Sequence, residues 1–271
     1  MGIDVREYWN FDDPAGSERV FRDLLTSGTL NRAEELEVIT QIARTFSLRN
    51  DCEKCNQILE TVAGECSSES SRPRDCFFLE LGRSFRTSGH LELATPLFRM
   101  VAECDIEDLV VDALHMLAID ADAEESHYIH LQALDVARFS DNPWAWRWQG
   151  TLYNNMGWAY FGSERFDDAL ECFENALKAR KEFGPAGSIR IAQWCVGRCH
   201  RALGNLGMAF TIQSSLAGPD ASGYVEEELG EILLAQSHPE DAKPHFQKAV
   251  EMLENELGPD SERIIRMKSL S

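Results

Sequence analysis

A small residue recurs along this chain at a nearly fixed interval, and that recurrence limits the fold more than any other feature. Ala43, Gly82, Ala118, Gly157, Gly197 and Gly230 are separated by 39, 36, 39, 40 and 33 residues. Self-similarity at such a period marks a chain built of stacked supersecondary units. The clearest unit, LYNNMGWAYFGSERFDDALECFENALKARKEFGP, starts at Leu152. Tyr153, Gly157 and Tyr160 share one helix face in it, and Ala169, Phe173 and Ala176 share a face of the next helix. The glycine and alanines let two helices approach closely, and the aromatics fill the space beside them. Gly162 and Ser163 stand where the hairpin must turn.

The register extends both ways. Leu229, Gly230, Ala242, Phe246 and Ala249 repeat it downstream, and Leu81, Gly82, Phe85, Ala94 and Phe98 repeat it upstream. Val196, Gly197 and Ala209 form a weaker copy. Leu117, Ala118, Leu134 and Ala137 form a degenerate one, with His130 where a small residue is expected. The earliest copy is Ile42, Ala43, Phe46, Cys55, Leu59 and Val62. No strand pattern competes.

On these residues the chain resembles the tetratricopeptide-repeat family. KARKEFGPAG and ENELGPDSER look like the linkers of the long-unit subtype found in kinesin light chains. HMLAI, LYNNMGW, RIAQWCVGR and GYVEEELGE are similar to phrases of stand-alone bacterial tetratricopeptide-repeat proteins. The resemblance implies an all-α, right-handed α-α superhelix of about six helical hairpins with terminal capping helices. The expected organisation is an N-terminal segment and capping helix over 1–29, the repeat array over 30–257 and a C-terminal capping helix over 258–271. Asp13 before Pro14 is a helix start, as are Asp141-Asn142 before Pro143. Residues 67–74, SSESSRPR, read as a loop.

In this family the first helix of each pair lines the concave surface. The resemblance places its inward stripe at three and two residues before the small marker, and one and four after it; these offsets share a helix face. The stripe then carries Arg44, Arg83, Arg86, Arg198 and Arg201, with Asn154, Asn155, Trp158, Phe161 and Trp194 among them. Five arginines there stand out in a chain with 46 acidic and 26 basic residues, a formal net charge of -20. Guanidinium forks bind carboxylates in pairs, indole faces pack on apolar groups or cations, and an asparagine can hold a backbone amide. The expected ligand is therefore a protein or peptide, in an acidic or C-terminal segment. The competing reading pairs the arginines with acids of neighbouring helices, Glu80, Asp122 and Glu231 among them. The two-carboxylate clamp of chaperone-binding members is matched only at Asn155. The N-terminal EYWNF could itself fill the groove. Of Trp144, Trp146 and Trp148, the first and last share a face that would seal a long helix on its predecessor, while Trp146 with Arg147 could form an exposed patch.

The acidic surface disfavours nucleic acid and anionic membranes. No signal-peptide h-region or spanning apolar run is present, and Arg6 occupies the position where a myristoylated Gly2 would need Ser or Thr. A cytoplasmic protein with reduced thiols is expected. Cys52 and Cys55 form a CxxC, followed by Cys66 and Cys76, without the second tight pair of a zinc site, so they read as packing residues. No phosphate-binding loop, HExxH or GxSxG is present. His127 and His130 read as a surface pair, and Cys195, Cys199 and His200 lack an evident base. The chain is thus expected to be a non-enzymatic adaptor without cofactor or metal. The alternative is a structural protein that self-associates as a homo-oligomer.

Overall fold

The computed structural model describes residues 3–66, 71–219 and 221–271, and among them every regular element is helical. A 3-10 turn, Val5–Tyr8, precedes α1 (Pro14–Thr26), which Asp13 caps by accepting from the Gly16 amide. Hairpins follow. α2 (Arg32–Ser47) pairs with α3 (Cys52–Glu60) and the short α4 (Ala63–Cys66). α5 (Arg72–Thr87) pairs with α6 (Leu91–Ala102), and α7 (Glu107–Asp120) with α8 (Ala123–Phe139). α9 (Pro143–Gly162) leads to α10 (Phe166–Phe183), α11 (Ala186–Ala202) pairs with α12 (Leu206–Leu216), and α13 (Gly223–Ala235) with α14 (Pro239–Leu257). α15 (Glu262–Leu270) packs on α14. Six hairpins with a helix before and after them are the expected fold. The first helix of each pair is called its A helix below and the second its B helix.

The chain forms two compact units, Met1–Trp148 and Gln149–Ser271, with the division inside α9. In the first, α2, α5 and α7 are the A helices; in the second, the remainder of α9, α11 and α13.

The repeat marker works as its size dictates. A β-carbon on Gly82 would stand 2.6 Å from Phe98, one on Gly157 2.6 Å from Phe173, and one on Gly230 2.9 Å from Phe246. Those phenylalanines are fully buried, so no side chain can be added without displacing core. In the weaker fifth copy the ring is replaced by Gln213, which is also buried and donates to the Trp194 carbonyl at 3.0 Å. The turns repeat too. Asn50, Gly89, Glu164, Gly204 and Ser237 have positive φ of 60, 82, 58, 78 and 65°, each seven residues past its marker. In each, the next residue's amide closes on a carbonyl five back, as Arg165 does on Tyr160 at 3.0 Å. The turn after α9 thus bends at Glu164, just past the expected Gly162-Ser163. The B helices vary in length: α10 has 18 residues and α14 has 19, against 12 in α6 and 11 in α12.

Two expectations need correction. Of the loop at 67–74, residues 67–70 lie outside the described residues, as does Gly2, whereas Arg72–Arg74 already form the first turn of α5. Ser71 caps that turn and Pro73 sits where its missing N–H costs nothing, so a segment that looks like loop chemistry is helix-start chemistry. His130 does not belong to a surface pair. It is 6% exposed, its Nδ1 lies 2.8 Å from the Ser126 carbonyl, and its ring meets His115 edge-on at 6.4 Å.

Burial lowers the proton affinity of both rings, pushing His115 down to about 4 and His130 below its usual range. A folded value below the free value of about 6.5 means the unfolded chain protonates first, so stability is full above that pH and falls toward pH 4. Melts at pH 7 and pH 5 should differ by roughly 2 kcal/mol of stability, and His115→Gln should remove most of the difference.

The acidic run GYVEEELGE is not a solvated face. Glu226, Glu227 and Glu228 are buried, and each serves a different helix. Glu226 meets His245 at 2.7 Å and Lys248 at 2.5 Å on α14. Glu227 receives Arg263 of α15 at 2.7 and 2.9 Å. Glu228 receives Arg198 and Arg201 of α11. One turn of α13 thereby ties three neighbours. Among the described residues no helix is long and apolar enough to cross a membrane.

Candidate functional site

The side chains of the A-helix stripe are divided between the two units. In residues 3–148, Arg44 and Arg83 converge on Glu80 and Asp112. Arg83 is 9% exposed, pairs with Glu80 at 2.5 Å and makes a shorter contact to Asp112. Arg44 lies 3.3 Å from Glu80 and 3.6 Å from Asp112. Burial works to raise the Asp112 carboxyl, but Arg83 and Arg44 overcome it and hold the group below the usual range. Arg86 donates from Nε to both Asp120 oxygens at 2.9 and 2.8 Å. All three arginines therefore have carboxylate partners from the next A helix or their own. The acids expected for this differ in part: Asp122 caps α8, and Glu231 pairs with Arg266.

An N-terminal stretch of the chain, the 3-10 turn Val5–Tyr8 and the irregular residues on either side of it, already lies on this patch. Trp9 donates to Gln41 Oε1 at 2.9 Å, two residues before the marker of the first repeat. The Trp9 and Phe11 rings stack at 4.7 Å, and the Arg44 guanidinium stands 5.7 and 5.4 Å from their centroids. Arg6 reaches Asp108 of α7 at 2.7 Å, Ile3 N–H donates to Glu34 at 2.9 Å, and Val5 is fully buried. Asp4 accepts from Trp144 Nε1 at 2.7 Å, and Arg6 and Arg147 cover the Trp144 ring at 4.8 and 4.0 Å. Trp148 packs on His115 at 5.2 Å, and Trp146 donates to the Ser140 carbonyl at 2.5 Å. Residues 3–13 thus occupy the A-helix face of the first unit, anchored by aromatics and paired charges. The EYWNF segment is where the sequence raised it as a candidate.

In residues 149–271 the stripe carries an aromatic row. Trp158 lies 6.1 Å from Trp194, which lies 6.3 Å from Tyr224. Arg198 sits over it, 5.8 Å from Trp158, 5.5 Å from Phe161 and 5.3 Å from Trp194. Its Nη1 donates to Glu228 at 2.9 Å, and Arg201 holds the same carboxylate at 2.8 and 3.0 Å. Arg198 Nε is buried with no partner among the described residues. Trp158 also meets Phe173 edge-on at 5.2 Å, so one ring both seals the hairpin and faces the stripe. Asn154 Oδ1 lies 3.8 Å from Cys195 Sγ; Asn155 is half-buried on the same helix.

Residues that the four offsets miss are informative. Asp112, Arg190, Ile191 and Tyr224 lie six or seven residues before their markers, one helical turn further along the same stripe. Extending the stripe by that turn would have found them.

The thiols are poorly suited to nucleophilic work. Burial pushes Cys195 up to about 12, Cys199 to about 11 and Cys55 to about 12. Cys199 donates to the Phe166 carbonyl at 3.1 Å. Among the described residues no three His, Cys, Asp or Glu side chains converge as metal ligands would. Thiol titration of the native chain at pH 8 should therefore modify the half-exposed Cys52 first and leave Cys55, Cys195 and Cys199 unreacted until denaturant is added.

The tetratricopeptide-repeat family model matches residues 151–183, the α9–α10 hairpin. Solved structures with the same fold include a chain of the Cut9–Hcn1 hetero-tetramer of the APC/C, at 13% identity and TM-score 0.68 over 95% of this chain. This chain spans 46% of that one, less than half its length. A tetratricopeptide repeat protein from Parabacteroides merdae matches at 12% identity and TM-score 0.51, over 98% of this chain and 95% of its own. NprR, crystallised in complex with its cognate peptide NprX, matches at 14% identity and TM-score 0.53, over 98% of this chain and 81% of its own. No curated protein matches the sequence.

Proposed function

We propose that this chain, a tetratricopeptide-repeat protein by its 151–183 match and its fold, is a non-catalytic adaptor that holds a short segment of another protein on the A-helix face of residues 149–271. One observation carries this reading. In residues 3–148 the equivalent face already holds a non-repeat segment, residues 3–13, through the Trp9 indole on Gln41 and the Trp9 and Phe11 rings beside Arg44. A surface that accommodates such a segment in one unit is built from the same register positions in the other. There Trp158, Trp194 and Tyr224 supply rings, and Arg198 supplies a cation above the two indoles. NprR is a neighbour of the same fold whose structure contains a peptide, which supports a peptide as the class of partner.

The partner segment carries carboxylates. Supporting this is the Arg198 guanidinium over the Trp158 and Trp194 rings, in a chain of net charge -20. Glu228 already neutralises part of the Arg198 charge, so the arginine adds selectivity for anionic neighbours rather than a free cationic clamp.

Affinity capture with the whole immobilised chain tests the reading. Asn155→Glu places a carboxylate on the face and is expected to abolish capture of the partner. Met208→Glu, at a 54% exposed position of α12, is expected to leave capture intact. Equal capture by both variants would refute binding at this face.

A further inference from the structure

Residues 149–271 contain a cavity of about 390 Å³ that the repeat register did not anticipate. Its lining includes Ile191, Trp194, Leu216 and Tyr224, together with Arg190 and Arg263. The volume is near the low end for ligand pockets and suits one large side chain with its flanking backbone. Its walls are fixed before anything binds. Trp194 Nε1 donates to the Tyr224 carbonyl at 3.0 Å, and the Trp194 carbonyl accepts from buried Gln213 at 3.0 Å. A site whose rotamers are already locked loses little entropy on binding.

The two arginines differ. Arg263 is committed to Glu227 at 2.7 and 2.9 Å and stacks over Tyr224 at 4.8 Å. Arg190 donates to the Leu216 carbonyl at 2.7 Å and has no carboxylate partner among the described residues. A guanidinium with donors to spare, beside an apolar cavity in a chain of net charge -20, selects an anion placed next to an apolar group.

We infer that this cavity is the anchor point for the partner segment: it takes one aromatic side chain, and Arg190 takes a carboxylate beside it. The inference rests on the adaptor reading above and adds the partner's chemistry. The aromatic choice follows from Trp194 and Tyr224, whose rings meet edge to face at 69° in the lining of the cavity and offer a third ring the same kind of contact. The segment on the other unit has the same order of chemistry, with Trp9 and Phe11 followed by Asp12 and Asp13.

A carboxylate in that place can come from an acidic side chain or from a chain terminus, and two probes separate them. One is acetyl-Gly-Ser-Phe-Asp-Gly-Ser-amide; the other is acetyl-Gly-Ser-Gly-Ser-Phe with a free carboxylate. Broadening of the peptide ring-proton signals in the presence of the full-length chain reports binding. At least one probe is expected to bind, and the tighter one names the source. Arg190→Ala and Ile191→Asp should each weaken it about tenfold or more, the scale of one charge-assisted contact. Ile191 is 57% exposed, so its substitution tests the site without touching the core. Failure of both probes, or unchanged binding in both variants, would overturn the inference. If the probes fail while Asn155→Glu still abolishes partner capture, the cavity is wrong and the adaptor reading stands. If Asn155→Glu also leaves capture intact, both fall.

Discussion

Replacing Arg83 with alanine is expected to destabilise residues 3–148, not to loosen a ligand. The guanidinium is 9% exposed and lies between Glu80 and Asp112, which are 0% and 5% exposed. Removing it leaves two buried carboxylates sharing Arg44 at 3.3 and 3.6 Å. Breaking a buried pair from one side costs about 3–5 kcal/mol, because the abandoned charge stays out of water. In a unit of this size that is a fall of roughly 10 °C in Tm. Hydrogen exchange locates the effect: amides of α2, α5 and α7 should lose protection while those of α13 and α14 keep it. Arg83→Lys keeps the charge but not the planar fork, and should fall between. Acid has the same target. Asp112 is held below the usual range, so its contribution is present near neutrality and disappears as pH falls below about 4. A protein that keeps its Tm after Arg83→Ala would show that the pair is not structural.

The second large effect is expected at Gly157. A β-carbon there would stand 2.6 Å from Phe173 Cε1 and 2.7 Å from Cδ1, and Phe173 has nowhere to go at 1% exposure. Gly157→Val should cost about 2–3 kcal/mol through overpacking, despite the helix propensity gained. Gly207 is the control. It also lies in a helix, but nothing stands within 4 Å of its missing β-carbon, so Gly207→Ala should raise stability by about 1 kcal/mol. Denaturant midpoints of the two variants should move in opposite directions. Movement the same way would mean that the repeat glycines are tolerated rather than required.

These two residues show what could be read from the sequence and what could not. Gly157 declares its role because the requirement is local: a small residue, an aromatic sixteen positions later and a fixed period admit few folds. Helix starts were equally legible at Asp13-Pro14 and at Asn142-Pro143, because caps are chemistry between near neighbours. The 71–74 stretch was misread because Ser and Pro serve loops and helix starts alike. Arg83 lay on the right face, but its partner Asp112 is 29 residues away, and nothing local separates a guanidinium awaiting a ligand from one already paired. The same holds for Arg198 and Glu228. The cavity was invisible for a related reason. It draws on α11, α12, α13, α15 and Ser222 before α13, and only packing brings them together.

In the proposed adaptor, recognition rests on the aromatic row and Arg190 rather than on the five stripe arginines. Arg44, Arg83, Arg86, Arg198 and Arg201 hold neighbouring A helices together. Trp158, Trp194 and Tyr224 form the surface that those pairs position.

The most direct measurement is photo-crosslinking of the captured partner from a benzophenone side chain at position 158, with position 208 on α12 as reference, followed by mapping of the joined peptides. The account predicts that position 158 yields one short stretch of the partner holding an aromatic and a carboxylate, while position 208 yields none. Equal yields from both positions, or products from 208 alone, would contradict it.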